Sequence, residues 1–214
     1  MPEKILPSPV LPSCRPGPRA CGTMRERLRR STATLHRRAE AAMALESRLA
    51  SPESYRLLLC RLLGLHRPLE TAMPRIGWSG TGIDIPARRK CGWLEADLRD
   101  LGTGEAALAA IPSCPFLPRL ESAAAGLGAL YVSEGASLGG RIVLRQASQR
   151  LGIDARHGGR FFASYGPDTG PMWRACVTAL DTLDCRSPAA DEAQAAAEAM
   201  FVAFETWLSM PRAS

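Results

Sequence analysis

Long apolar runs are missing from this 214-residue chain. No stretch reaches the ~18 apolar residues of a membrane span, and the opening Met1-Pro2-Glu3-Lys4 lacks the apolar centre of a secretory signal. The expectation is a cytoplasmic protein with no membrane partner. Period-2 alternation is missing too, which excludes a sheet-based fold. Histidines number three, His36, His66 and His157, and no Ser-His-Asp set, carboxylate pair, His/Cys metal cluster or phosphate loop can be assembled around them. Flavin and iron–sulfur motifs are equally absent. The seven cysteines are scattered, none in a Cys-x-x-Cys pair, so zinc and redox dithiols are not indicated and the cysteines read as free thiols. Aromatic residues make up 6% of the chain and do not interleave with the basic ones, which argues against a stacking surface for nucleic acid.

What is present points to one α-helical domain. Apolar residues account for 46% of the chain, enough for a sizeable core at this length. Six of the prolines fall within residues 1–22, which read as a flexible extension ahead of a domain spanning 23–210, with a short tail at 211–214. Helical spacing of Leu28, Thr32, Leu35, His36, Ala39 and Met43 predicts a first helix from Met24 to about Leu49. Ser51-Pro52 opens a second, apolar over more than half its circumference, which runs to about Met73. Further helices are expected over 88–101, 119–151, 171–183 and 188–208, with a helical turn at 105–110 and loops at 74–87 and 152–170. The class is all-α, a single multi-helix bundle.

Net charge is +6, and much of the excess is local: Arg25, Arg27, Arg29, Arg30, Arg37 and Arg38 crowd the first helix. Such a surface suits an acidic protein partner or an anionic ligand. His36 falls on the apolar side of the same helix, beside Thr32, Ala33 and Ala39. That position fits either a packed core histidine or a ligand.

Residues 126–145 are the least ordinary segment. Gly126, Gly128, Gly135, Gly139 and Gly140 interrupt an otherwise helical pattern, and each glycine inside a helix costs roughly 1 kcal/mol relative to alanine. At about 100° per residue, Gly128, Gly135 and Gly139 share one narrow sector of the helix. Bare backbone on that side allows a close helix crossing, or a flat ligand laid against the helix.

Five segments in register carry a family resemblance. They are Leu28-Arg29-Arg30-Ser31-Thr32-Ala33-Thr34-Leu35-His36 followed by Glu40; Gly64-Leu65-His66-Arg67-Pro68-Leu69-Glu70; Trp93-Leu94-Glu95-Ala96-Asp97-Leu98 ahead of Leu101-Gly102; the run from Gly128 to Gly140; and Phe161-Phe162 with Tyr165-Gly166 before Met172-Trp173. Together they span about 24–208, and the chain resembles the bacterial biliverdin-producing heme oxygenases. The nearest subgroup is the one that accompanies bacterial phytochromes.

The resemblance implies a heme oxygenase-like bundle with heme b, both substrate and cofactor, between the first helix and the glycine-rich distal helix. It implies cleavage of heme to biliverdin, carbon monoxide and ferrous iron, using dioxygen and an external reductant. The reductant would be a ferredoxin or a flavin-dependent reductase, and a bacteriophytochrome is a partner for the product. His36 is the implied axial ligand and only metal-binding residue, its second ring nitrogen needing an acceptor such as Glu40. Gly135, Gly139 and Gly140 would leave room on the distal side, with Ser137 and Glu134 in support. Ala136 stands where the mammalian enzymes carry an aspartate. Val132 and Phe162 complete the implied lining, Arg174 and then Arg29 are the implied propionate partners, and Tyr131 bonds a propionate or fills core. Ala136, together with Ser133 in place of a common leucine, leaves a non-catalytic heme carrier or sensor of the same fold as the alternative.

Overall fold

The structure, a computed structural model, describes residues 22–211, so nearly all of the expected extension and tail lies outside the described residues. Ten α-helices account for most of them, and no β-strand occurs among them beyond isolated bridge pairings of Asp154 with His157 and Gly158.

The expected first helix is three pieces: α1 (Met24–Ser31), α2 (Ala33–Met43) and α3 (Leu45–Arg48). Thr32 makes the first break, since its Oγ1 donates to the Leu28 carbonyl at 2.7 Å, competing with the backbone ladder. Ala44 makes the second, at φ 42°, ψ 48° in the left-handed region. These bends lay α1 against both α9 (Thr169–Asp181) and α10 (Pro188–Ser209), while α2 runs along α10.

Helix α4 (Pro52–Ala72) starts where the sequence predicts. The Ser51 hydroxyl accepts from the Ser54 amide, and proline occupies the first turn. Pro68 lies inside α4 and has no N–H to offer the Gly64 carbonyl. That carbonyl instead accepts from Cys114 N at 2.8 Å. A Cβ on Gly64 would overlap the Pro112 carbonyl, so the proline-rich connection docks on α4 because of both residues.

Helices α5 (Cys91–Asp100) and α6 (Glu105–Ala109) precede α7 (Ala123–Leu151), the longest element at 29 residues. Ser122 caps its N-terminus and left-handed Gly152 ends it. The expected 152–170 loop contains a short α8 (Arg160–Ala163) and a 3-10 turn at Gly166–Asp168. Buried Asp97 of α5 accepts from the Arg160 and Phe161 amides and so fixes the start of α8.

Two apolar clusters form the core. One joins α1, α2, α7, α9 and α10 and includes Leu28, Ala39, Leu130, Ala193 and Phe201. The other joins α4, α5 and α8 to the C-terminal half of α7 and includes Tyr55, Leu94, Val143 and Phe162. Cys60, Cys91, Cys114 and Cys176 are free thiols. Cys185 is disulfide-bonded, which corrects the expectation of free thiols throughout; Cys14 and Cys21 lie outside the described residues.

Candidate functional site

Helix α2 presents His36 to solvent, its side chain 58% exposed despite the apolar spacing that surrounds it in sequence. Ala39 is buried and the ring rests edge-on against Phe201 of α10, with centroids 5.7 Å apart. His36 Nδ1 stands 3.5 Å from a Glu40 carboxylate oxygen one turn along. A carboxylate on that side orients the ring, and Nε2 is then the nitrogen available to a ligand.

Helices α2 and α7 both pack along α10 without packing extensively on each other. The segment of α7 from Gly135 to Ile142 is correspondingly open. A Cβ on Gly139 would meet nothing within 4 Å, and one on Gly135 would meet only the Trp173 ring at 3.6 Å. Ala136 is exposed, and Leu138 and Ile142, at 46% and 53%, are among the most exposed large apolar residues.

Not every glycine of α7 serves that opening. A Cβ on Gly128 would overlap the Ala193 carbonyl of α10, one on Gly126 would strike Trp78 and Ile76, and one on Gly140 would overlap the Phe162 carbonyl. These three permit close packing, so the sector that grouped Gly128 with Gly135 and Gly139 mixes two roles, and Gly140 supplies no open space. Phe162 is 5% exposed, its ring enclosed with Tyr55 and Phe161 in the second cluster. That leaves the side chain little surface for a ligand, against its expected place in the lining. Val132 is also buried.

Tyr131 is half-buried, 5.4 Å from the Trp173 ring, with its hydroxyl beside Thr32. Burial raises its pKa, partly offset by Thr32 and by the charges of Arg25 and Arg29. Where α1, α7 and α9 meet, the exposed Arg25 and Arg29 therefore stand near a tyrosine and a tryptophan; Arg174 of α9 is exposed as well. The six arginines of the first helical region are not equivalent. Arg27 is spent on Gln194, Asp191 and the Cys185 carbonyl, and Arg38 pairs with Glu205.

Behind α7 lies a charge cluster that no spacing in the sequence indicates. The Glu134 side chain, 1% exposed, stands 3.2 Å from Arg88 and 3.3 Å from Lys90 and accepts a 2.9 Å hydrogen bond from the Tyr165 hydroxyl. Lys90 Nζ also donates to the Ser133 carbonyl at 2.8 Å and to Ser137 Oγ at 2.7 Å. Burial lowers the Lys90 pKa, with Glu134 opposing, and burial followed by Glu134 raises that of Tyr165. Ser137 is thus committed to this cluster. Arg88, Lys90 and Tyr165 are 31 to 46 positions from Glu134, beyond the reach of local pattern; only the basic run Arg88-Arg89-Lys90 could have hinted at them. Beside the cluster, a cavity of about 20 Å³ lined by His66, Glu70, Arg88 and Ser133 has room for a single water. The Arg88 Nε in its wall has no hydrogen-bond partner. Burial depresses the His66 pKa to about 3, keeping the ring neutral.

A separate open groove of about 440 Å³ is lined by Trp93, Arg156, Arg160 and Ser164. Arg160 is already paired with Asp97 and Asp100. His157 is exposed beside Asp100. Among the described residues no helix is long and apolar enough to cross a membrane, and no group of three or more His, Cys, Asp or Glu is placed to hold a metal ion.

An exposed histidine with a carboxylate one turn along on α2, and an open segment at Gly135 and Gly139 of α7, lie on two helices that both pack along α10 in an all-α protein. Comparison with known proteins makes this specific. The heme oxygenase family model matches residues 23–210, so the chain belongs to the heme oxygenase family. It is 35% identical over 122 residues to a heme oxygenase of Xanthomonas campestris, a match covering 57% of this chain and 68% of that one. Its fold is similar to the NO- and CO-bound heme oxygenase of Neisseria meningitidis (TM-score 0.71, 23% identity, 87% of this chain and 90% of that one). It is also similar to the heme oxygenase of Leptospira interrogans (TM-score 0.70, 18% identity, 88% and 99%).

Proposed function

We propose that this protein cleaves heme to biliverdin, carbon monoxide and ferrous iron, using dioxygen and electrons from an external donor. The observation that carries the reading is the exposed, Glu40-braced His36 on a helix that shares α10 with the open Gly135–Gly139 segment. When bound, heme supplies the iron at which dioxygen is activated. The chain's part is to hold and shield. His36 would hold the group through Nε2, with Glu40 beside Nδ1 to orient the ring. Gly135, Ala136 and Gly139 leave space above the ligand, while Leu138 and Ile142 offer apolar surface to the macrocycle.

The two heme carboxylates are assigned to exposed arginines, Arg25 and Arg29 beside Tyr131 and Arg174 on α9. Arg25 joins the expected Arg29 and Arg174 because it and Arg29 both act on Tyr131. Arg29, Arg30 and Arg37 present an exposed basic surface for an acidic ferredoxin or reductase domain, and the product fits the chromophore need of a bacteriophytochrome. Ala136 favours a second reading, a heme carrier, because it offers no proton-handling group.

One experiment tests both. Hemin is titrated into the wild type and His36→Ala, and a reductant is then supplied with catalase present. We expect a Soret shift that depends on His36 and then biliverdin absorption. No shift would end the heme reading, a His36-independent shift would remove the ligand assignment, and a loaded protein yielding no biliverdin would leave the carrier.

A further inference from the structure

We propose that Lys90 is a positioning residue for the distal helix, its ammonium clamping the Ser133–Ser137 turn of α7 from behind. The proposal takes its functional meaning from the reading that the open side of this turn covers the substrate. The clamp itself stands on geometry alone.

An ammonium has three N–H donors and no acceptor. Lys90 has three acceptors around it: the Ser133 carbonyl at 2.8 Å, Ser137 Oγ at 2.7 Å and Glu134 at 3.3 Å. All three belong to one turn of α7, so a single side chain from outside the helix grips it at three points. The amine is held in place in turn by its own backbone, because Glu70 of α4 accepts from both the Lys90 and Cys91 amides. Glu134 is held in turn by Arg88 at its other oxygen and by the Tyr165 hydroxyl, which donates to the same Oε1 that faces Lys90.

The turn needs such support. It leads into Gly139-Gly140 and contains Gly135, and each glycine lowers local helix stability by roughly 1 kcal/mol. A continuous open side removes the tertiary contacts that would otherwise compensate. The grip also fixes a hydroxyl. Ser137 Oγ accepts from Lys90, so its own proton is directed to the Ser133 carbonyl at 3.3 Å. Both partners of the Ser137 hydroxyl therefore lie on the closed side of α7. The charged and titratable groups facing Lys90 are Glu134 from α7, Arg88 from its own segment, Glu70 and His66 from α4, Cys176 from α9, and Tyr165 from the α8–α9 connection, whose ring lies 5.5 Å away. Among them Glu134 is the one at ion-pair distance from Nζ.

The test compares Lys90→Met, Lys90→Arg and Ser137→Ala with the wild type, first by hydrogen exchange in the heme-free protein. Lys90→Met is expected to speed exchange across residues 133–142 about tenfold, the size of one lost charge-assisted hydrogen bond, with α4 and α10 unchanged. Lys90→Arg should recover most of the protection and Ser137→Ala should lose a smaller part. With hemin and reductant, Lys90→Met should slow biliverdin formation while hemin affinity stays near wild type, and Lys90→Arg should restore the rate. Unchanged exchange at 133–142, uniform loosening of the whole molecule, or full turnover by Lys90→Met would each overturn the proposal. If Lys90→Met does not fold, Ser137→Ala and Lys90→Arg decide by the same exchange readout. Failure of the wild type to bind hemin would sink the functional reading alone, since the exchange result reports on the clamp without heme.

Discussion

The two sides of α7 differ more than its sequence composition suggests. Where the helix is closed in, Gly126, Gly140 and Gly128 (the last in the same sector as the open segment but earlier along the helix) admit a tryptophan ring, the Phe162 carbonyl and the Ala193 carbonyl, and Glu134 gathers Arg88, Lys90 and Tyr165. On the open side, Gly135 and Gly139 admit almost nothing from the protein itself. The same residue type therefore does opposite work within one helix: some glycines exist because a neighbour is too close, others because none is wanted there. The closed side anchors the helix so that the open side can stay bare.

Adding one methyl group to each side should separate the two roles most strongly. Gly128→Ala places a Cβ on a backbone carbonyl that no rotamer change can move, and α7 must part from α10. We expect a loss of about 3 kcal/mol or more in chemical denaturation. A loss below about 1 kcal/mol would mean the crossing is loose and the contrast between the sides is false.

Acid should stress the closed side through His66. His66 has a folded-state pKa of about 3 against a free value of 6.5, so the unfolded chain binds the extra proton first. Stability should fall as pH drops below 6.5 and continue to fall toward pH 3, at about 1.4 kcal/mol per pH unit from this group. Denaturation of His66→Phe across that range should show a shallower slope by about that amount; an unchanged slope would show that the ring is accessible to protons in the folded state.

Gly139→Ala should behave as the mirror image of Gly128→Ala. The added methyl meets open space, so stability should hold or rise by up to about 1 kcal/mol from helix propensity. Gly139→Leu should weaken hemin binding in the absorption titration while leaving the thermal midpoint near that of Gly139→Ala. Destabilisation by Gly139→Ala would place a protein contact where the open side is drawn.

The smallest effect is expected at the exposed arginines. Arg37 is exposed and its side chain hydrogen-bonds Thr34 one turn away, so Arg37→Glu should change stability by no more than about 0.5 kcal/mol. It should lower the rate of reduction by an acidic donor a few-fold and flatten its salt dependence. Arg38 is a poorer probe, because its reversal would also break the pair with Glu205.

Much of this architecture follows from local chemistry. Ser51-Pro52 and Ser187-Pro188 start α4 and α10 because a hydroxyl accepts an early amide and proline needs no donor there. Gly152 ends α7 because it adopts a positive φ. Helical periodicity and five segments in register point to His36, and the structure shows it exposed and braced by Glu40.

Periodicity assigns a residue to a face but does not say which neighbour crosses that face at which height. For that reason Gly128 shares a sector with Gly135 and Gly139 in sequence yet meets α10 in space, and Phe162 is enclosed with Tyr55. The breaks at Thr32 and Ala44 depend on where α1 and α2 must lie against α9 and α10, which outweighs the continuous helical pattern. The Glu134 cluster assembles from α7, the segment before α5 and the α8–α9 connection. The sequence by itself determined an all-α chain, the starts of α4 and α10, the end of α7 and the histidine on offer. Only the tertiary structure decided which glycines are crowded and which are bare, and which buried charges hold the helix between them, because both depend on contacts between residues far apart along the chain.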